Sequence, residues 1–131
     1  MDRDTVSVAA SAGHRRLVAW VRRAGRDLVV VLEGGDAPHV GCVVLSQARP
    51  STANPERVSV TTSVLAMPPH KEEPVARTVA ELLARELGCV VVATAGIHED
   101  GLDPAGIGVW LELTREVASR LVECLRGTSP G

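Results

Sequence analysis

The first half of the chain alternates apolar and polar residues in short runs separated by turn residues, a pattern typical of half-buried strands. Four such runs cover residues 15 to 24, 27 to 33, 40 to 48 and 57 to 66. Because consecutive strands joined by short connections usually pair, these runs predict a four-strand antiparallel meander.

The second half of the chain changes to helical spacing. Residues 74 to 87 predict an amphipathic helix that ends at Gly88, and the apolar run over residues 89 to 95 predicts a buried fifth strand. Asp103 followed by Pro104 predicts the start of a second helix, whose apolar face continues almost to the end of the chain. The sequence therefore predicts an α+β fold with a mostly antiparallel sheet and both helices packed on one face.

Length and charge narrow the class of protein. The 131 residues, 45% of them hydrophobic, predict one domain over residues 5 to 126 with frayed ends at 1 to 4 and 127 to 131. A net charge of −2 and a lack of aromatic residues other than Trp20 and Trp110 argue against nucleic acid and anionic membranes as partners. The acidic start of the chain is unlike a secretion signal, and three widely spaced cysteines are typical of reduced thiols, so we expect a cytoplasmic protein.

Three segments differ from ordinary loops, namely residues 33 to 41, 67 to 73 and 96 to 101, and each contains a histidine. If the predicted strands alternate in direction, the strands that precede the three segments all run the same way. The three segments then meet at one edge of the sheet, together with the N-termini of both helices. The histidines concerned are His39, His70 and His98.

This edge has the chemistry of an anion-binding site. Gly34 and Gly35 permit close approach of a ligand, helix N-termini attract anions, and Lys71 is the single lysine of the chain. Such an edge could hold a phosphate. Two alternatives remain open, because Gly34, Gly35 and Asp36 also suit a hairpin turn, and Glu72 and Glu73 also suit a helix dipole.

The same histidines, with a carboxylate from Asp36, Glu72 or Asp100, would also suit a zinc, iron or manganese ion. No local ligand signature such as HExxH or CxxC accompanies them. Trp20 and Trp110 are interpreted as core or interface residues, although Trp110 lies near enough to the predicted edge to stack on a flat ligand.

Three strings, GGDAPHVGCV, SVLAMPPHKEE and VVVATAGIHEDGLDP, resemble in order and spacing the signature blocks of the LpdD-like family. The resemblance extends from about Leu28 to the end of the last helix. It implies a fold similar to proteasome-assembly-chaperone-like domains. It further implies a non-catalytic accessory protein that binds prenylated flavin mononucleotide and delivers or matures it for a UbiD-type decarboxylase such as gallate decarboxylase, with a flavin prenyltransferase as a second partner.

Carried over by matching motif, the resemblance implies a set of cofactor-binding residues. These are Gly34, Gly35, Asp36, His39, His70, Lys71, Glu72 and His98. The sequence departs from the family pattern at Pro69, where a glycine is expected, and at Gly106 and Gly108, where acidic residues are expected.

Two other hypotheses stay open beside this one. A metal-dependent small subunit of a decarboxylase would use His39, His70 and His98 as ligands of a catalytic ion. A dimeric assembly module would associate through a sheet edge or through the broad apolar face of the last helix.

Overall fold

The computed structural model describes residues 4–66 and 72–127, which form one six-stranded sheet and two α-helices. The strands are β1 (Thr5–Ala12), β2 (Arg15–Ala24), β3 (Asp27–Gly35), β4 (Cys42–Pro50), β5 (Val58–Ala66) and β6 (Val90–His98), and the helices are α1 (Glu73–Leu87) and α2 (Pro104–Arg126). The predicted α+β class, the mostly antiparallel sheet and both helices are confirmed. The frayed ends predicted for the chain fall mainly on residues 1–3 and 128–131, outside the described residues.

The strand order across the sheet is β1-β2-β3-β6-β4-β5. Strands β3 and β6 are parallel, and every other neighbouring pair is antiparallel. The prediction of a continuous four-strand meander is therefore wrong at one point, because β6 separates β3 from β4. Strand β6 is apolar at nearly every position, and a central place with a neighbour on each side buries such a strand better than an edge does.

The sequence pattern missed β1, which pairs only with β2 at one edge of the sheet. Its side facing the helices carries Val6, Val8 and Ala10, and the residues between them are small or polar. Such a strand has a weak apolar signal. The small and polar residues on its other side suit a strand at an edge, because they discourage pairing with other chains.

Both helices cover the same face of the sheet. Helix α1 packs on β4 and β6, α2 packs on β1 and β2, and the two helices contact each other. The core between the layers is aliphatic except for Trp110, as the composition requires. Gly88 ends α1 in a left-handed conformation (φ 65°), which confirms the predicted stop. Neither helix in the described part of the chain is long and apolar enough to cross a membrane.

The strand directions bring distant parts of the chain to one edge. Strand β6 is parallel to β3, and β5 shares their direction because both β5 and β6 are antiparallel to β4. We call this edge, where β3 and β6 end and α1 and α2 begin, the upper edge. The predicted meeting of the first and third histidine segments at one edge is thus confirmed.

Candidate functional site

The loop that follows β3 lies against the end of β6 through backbone hydrogen bonds. The amide of Asp36 donates to the carbonyl of His98 (2.7 Å), and the amide of Gly41 donates to the carbonyl of Ala95 (2.9 Å). In the sheet, Gly35 is the register partner of His98. The first and third predicted segments therefore form one continuous piece of the upper edge.

Glycines allow this close packing of backbone on backbone. A Cβ atom on Gly35, whose φ is +76°, would lie 1.9 Å from the carbonyl oxygen of His98, and one on Gly96 would lie 1.5 Å from that of His39. Gly34 instead leaves room for a side chain, because a Cβ atom added to it would lie 2.9 Å from the indole ring of Trp110. The space left by these glycines is filled by the chain itself.

His39 and Glu72 join the loop after β3 to the start of α1. The Nε2 of His39 lies 2.9 Å from Oε1 of Glu72, and its Nδ1 lies 2.9 Å from the carbonyl oxygen of Ala37. The same Glu72 oxygen accepts from the amide of Ile97 at 3.4 Å. The imidazole therefore lies between a backbone carbonyl of its own loop and the carboxylate that precedes α1.

Glu72 does not act as a side-chain cap of α1. It occupies the N-cap position, but its carboxylate makes no hydrogen bond to the helix N-terminus and instead turns toward His39. Only 7% of the residue is exposed. Helix α2, by contrast, is capped by Asp103, whose carboxylate accepts from the amide of Gly106 at 2.8 Å, and this confirms the predicted helix start.

A second carboxylate, Glu99, organises the opposite side of the upper edge. Its two oxygens accept from Nε and a terminal nitrogen of Arg15, both at 2.8 Å, and Oε1 also accepts from Nε1 of Trp110 at 3.0 Å. These hydrogen bonds, that from Arg15 first and that from Trp110 after it, hold the pKa of Glu99 below its ordinary value of 4.5. Glu99 raises the pKa of Arg15 in return.

His98 is the histidine of the third predicted segment, and its side chain lies on the outer side of the upper edge. Its side chain is 49% exposed, and Nε2 lies 2.9 Å from Oδ1 of Asp100, which is itself almost fully exposed. The ring therefore remains accessible to a ligand.

Between these groups lies a cavity of about 290 Å³. Its polar lining consists of His39, Glu72, His98 and Glu99. The rest of the wall is apolar and comes from the starts of both helices and the end of β6. The apolar residues are Pro74, Val75, Ile97, Leu102, Ile107, Trp110 and Leu111.

The structure brings six of the eight predicted site residues to the upper edge, and three of them, His39, Glu72 and His98, line the cavity. The other two, His70 and Lys71, lie outside the described residues. Within residues 4–66 and 72–127, no group of three or more His, Cys, Asp or Glu side chains is arranged to hold a metal ion. Burial raises the pKa of the thiols of Cys42 and Cys89, so neither is an activated nucleophile.

Sequence reasoning missed Glu99, Arg15 and most of the apolar wall. Glu99 directly follows His98, so the sequence already places it at the upper edge. Its partner Arg15 is 84 residues away along the chain, and no local pattern joins the two. Leu102 and Ile107 are large apolar side chains exposed at 38% and 45%, which is the signal that distinguishes a lined cavity from a buried core.

The fold has a known counterpart among solved structures. The chain is similar to one in the crystal structure of a novel chaperone complex for yeast 20S proteasome assembly, with a TM-score of 0.52, 13% sequence identity and 94% of each chain covered. At that identity the similarity concerns the fold alone. No curated protein matches the sequence significantly.

Family membership follows from the sequence itself. The family described as the prenylated flavin chaperone LpdD-like domain matches residues 11–126, which takes in β2 to β6, both helices and the whole upper edge. The chain therefore belongs to the prenylated flavin chaperone LpdD-like family.

Proposed function

We propose that the cavity at the upper edge binds the ring system of prenylated flavin mononucleotide, and that the protein carries or matures this cofactor for a UbiD-type decarboxylase. The observation that carries the proposal is the composition of the cavity. An apolar wall that includes Trp110 and Ile107 faces a small set of polar groups, which come from the ends of β3 and β6 and from the start of α1. A prenylated flavin has the matching character, with a flat, largely apolar ring system and polar atoms along one side.

The size of the cavity determines how much of the cofactor it would take. At about 290 Å³ it lies at the lower limit of small-molecule sites. It suits a ring system better than a complete nucleotide. The proposal therefore leaves the ribityl phosphate outside the cavity.

The charges of the cavity lining also support a site for the ring system of the cofactor and not for its phosphate. Both carboxylates of the lining, Glu72 and Glu99, would repel a phosphate, and the nearby Arg15 already pairs with Glu99. In sequence, His70 and Lys71 directly precede Glu72. We propose that these two residues contact the phosphate, while Gly34, Gly35, Asp36, His39, Glu72 and His98 form or support the ring site.

A binding experiment tests the ring site. Ile107→Glu introduces a carboxylate at a half-exposed position of the cavity wall and should weaken binding of prenylated flavin mononucleotide at least about tenfold. Val40→Glu is the matched control, because Val40 is 57% exposed near the same edge but does not line the cavity. Affinity would be measured anaerobically by quenching of tryptophan fluorescence. Equal affinities for both variants would contradict the proposal.

The fluorescence signal can be assigned to one ring. Trp20 and Trp110 are the only aromatic residues apart from histidine, and only Trp110 lines the cavity. Quenching by the cofactor should therefore persist in Trp20→Leu and nearly disappear in Trp110→Leu. Quenching that is lost with Trp20 instead would place the ligand elsewhere.

Delivery requires its own test. We propose that the cofactor-loaded protein activates a purified apo-decarboxylase of the UbiD type faster than an equal amount of free cofactor does, and that it turns over no substrate alone. The Ile107→Glu variant should lose this advantage and Val40→Glu should keep it. Activation at the same rate with and without the protein would reduce the proposal to cofactor binding.

The buried, protonated thiols of Cys42 and Cys89 suit a reducing compartment, so we further propose a cytoplasmic location.

A further inference from the structure

The sheet face opposite the helices carries a continuous apolar surface. Side chains alternate between the two faces of each strand, and those that point away from the helices include Trp20, Val29, Leu45 and Leu65, exposed at 47%, 43%, 42% and 74%. We name the whole set the open-face patch. It consists of Val18, Trp20, Val29, Val31, Val43, Leu45, Leu65 and Val92.

Strand register shows that the patch extends over five adjacent strands, with Thr94 of β6 as a polar residue between Val31 and Val43. Trp20 is paired with Val31. One row further along, Val29 is paired with Val92, which is paired in turn with Leu45. Val43 and Leu65 extend the patch onto β5.

The outer parts of this face are polar. On β1, the residues that point away from the helices are Thr5, Ser7, Ala9 and Ser11. On β5 they are Ser59, Thr61 and Ser63, apart from Leu65. An apolar centre surrounded by a polar rim is the composition of a protein interface, not of a surface evolved to face water.

The dimensions of the face match those of a stable interface. Six strands spaced about 4.8 Å apart and roughly nine residues long give a face of about 29 by 30 Å. This is close to the ~800 Å² that each partner buries in a specific protein complex of standard size.

We propose that the open-face patch binds a second copy of this chain, so that the protein is a dimer with its two sheets stacked face to face. An apolar surface of this size requires cover in the resting protein, and a second copy of the chain supplies that cover permanently. Permanent homodimers have the more apolar interfaces, and transient complexes the more polar ones. This inference does not rest on the proposed function.

The charges around the patch suit pairing of identical faces. The charged residues that project from the same face as the patch include Arg16 and Arg22 on β2, Arg49 on β4 and Glu33 on β3. In a two-fold dimer each copy presents the same surface, so a rim that carries both signs can complement itself. A rim of one sign would repel its own copy.

Sedimentation velocity provides the test. The wild-type protein at micromolar concentration should have twice the 13.8 kDa mass of the chain. Trp20→Glu and Leu45→Glu should each raise the dissociation constant at least about a hundredfold, since an isologous interface buries the new carboxylate twice. Val58→Glu is the matched control, because Val58 is 50% exposed but lies on the helix side of the edge strand β5.

Three outcomes would overturn the proposal. A monomeric wild-type protein would exclude a second copy, and the open face would then belong to another partner. A dimer that survives both Trp20→Glu and Leu45→Glu would use a different surface. Dissociation by Val58→Glu as well, in variants that circular dichroism and the melting temperature show to be folded, would place the contact on the helix side of the sheet and not on the open face. Concentration-dependent burial of the Trp20 ring in the Trp110→Leu background, followed by acrylamide quenching, would support the proposal independently.

Discussion

The indole of Trp110 is held by Glu99, whose Oε1 accepts from Nε1 of the ring at 3.0 Å and from Nε of Arg15 at 2.8 Å. The carboxylate thus connects three elements, because Arg15 begins β2, Glu99 follows β6 and Trp110 belongs to α2. The ring fills the space above Gly34 on one side and forms part of the cavity wall on the other. The orientation of the cavity wall therefore depends on an ion pair outside the predicted set of site residues.

Replacing Glu99 by Gln should weaken cofactor binding through the position of Trp110. The amide keeps the shape of the side chain but loses the charged hydrogen bonds to Arg15, so the indole is less firmly oriented. We expect the affinity to fall about tenfold, because that change corresponds to the free energy that one such hydrogen bond contributes. Tryptophan fluorescence anisotropy of the free protein should fall at the same time. Glu116→Gln, an exposed position on α2, is the control and should change neither quantity.

The low pKa of Glu99 predicts a specific dependence of stability on pH. A carboxyl group whose pKa is lower in the folded state contributes stability at pH values above its unfolded value, and the contribution disappears as pH falls through the folded value. The difference in unfolding free energy between wild type and Glu99→Gln should therefore be constant near neutral pH and shrink below about pH 4.5. Urea denaturation at a series of pH values measures it. A difference that grows on acidification would contradict the assigned ionisation.

The meeting of the histidine segments could be predicted because it depends only on strand direction. Counting reversals along the chain gives β3 and β6 the same direction, whichever strands are neighbours. The place of β6 between β3 and β4 could not be obtained in that way. Periodicity reports which side of a strand is buried and contains no information on which strand it pairs with.

The same distinction separates the site residues that sequence reasoning found from those it missed. His39 and His98 stand in short segments of unusual composition, which local inspection detects. Arg15 lies in the regular alternation of β2, where nothing distinguishes it from its neighbour Arg16, and only the folded structure brings it to Glu99. Long-range ion pairs of this kind have no local signature.

Glycine substitutions should separate positions of close packing from open positions. Gly34→Ala brings a methyl group within 2.9 Å of the Trp110 ring and 3.2 Å of the Arg16 carbonyl oxygen, and should destabilise the protein by about 1–3 kcal/mol. Gly108→Ala is the control, since Gly108 lies within α2 with open space around it. Alanine there should stabilise the protein by about 1 kcal/mol.

Urea denaturation of both variants decides this prediction, and the cofactor titration extends it. Because the methyl group of Gly34→Ala displaces Trp110, affinity for the flavin should fall in that variant even where it remains folded. Gly108→Ala should bind normally. Equal stabilities for the two variants would mean that the indole does not rest on Gly34.

The pair formed by His39 and Glu72 should be energetically coupled. Glu72 is nearly buried and its carboxylate lies 2.9 Å from the imidazole, so removal of either partner takes this close polar contact away from the other. A double-mutant cycle with His39→Ala and Glu72→Gln should give a coupling free energy of about 1.5–3 kcal/mol at neutral pH. Equilibrium unfolding of the wild type, both single variants and the double variant supplies the four values.

The exposed pair of Arg126 and Glu86 provides the comparison for this cycle. Its atoms lie 2.7 Å apart, closer than those of His39 and Glu72, but its side chains are 56% and 39% exposed. Water and salt screen such a pair, so its coupling should not exceed about 1 kcal/mol. A larger coupling for the exposed pair would show that distance, and not burial, determines the strength of the contact between His39 and Glu72. The expected order instead makes this contact the link that holds the loop after β3 against the start of α1.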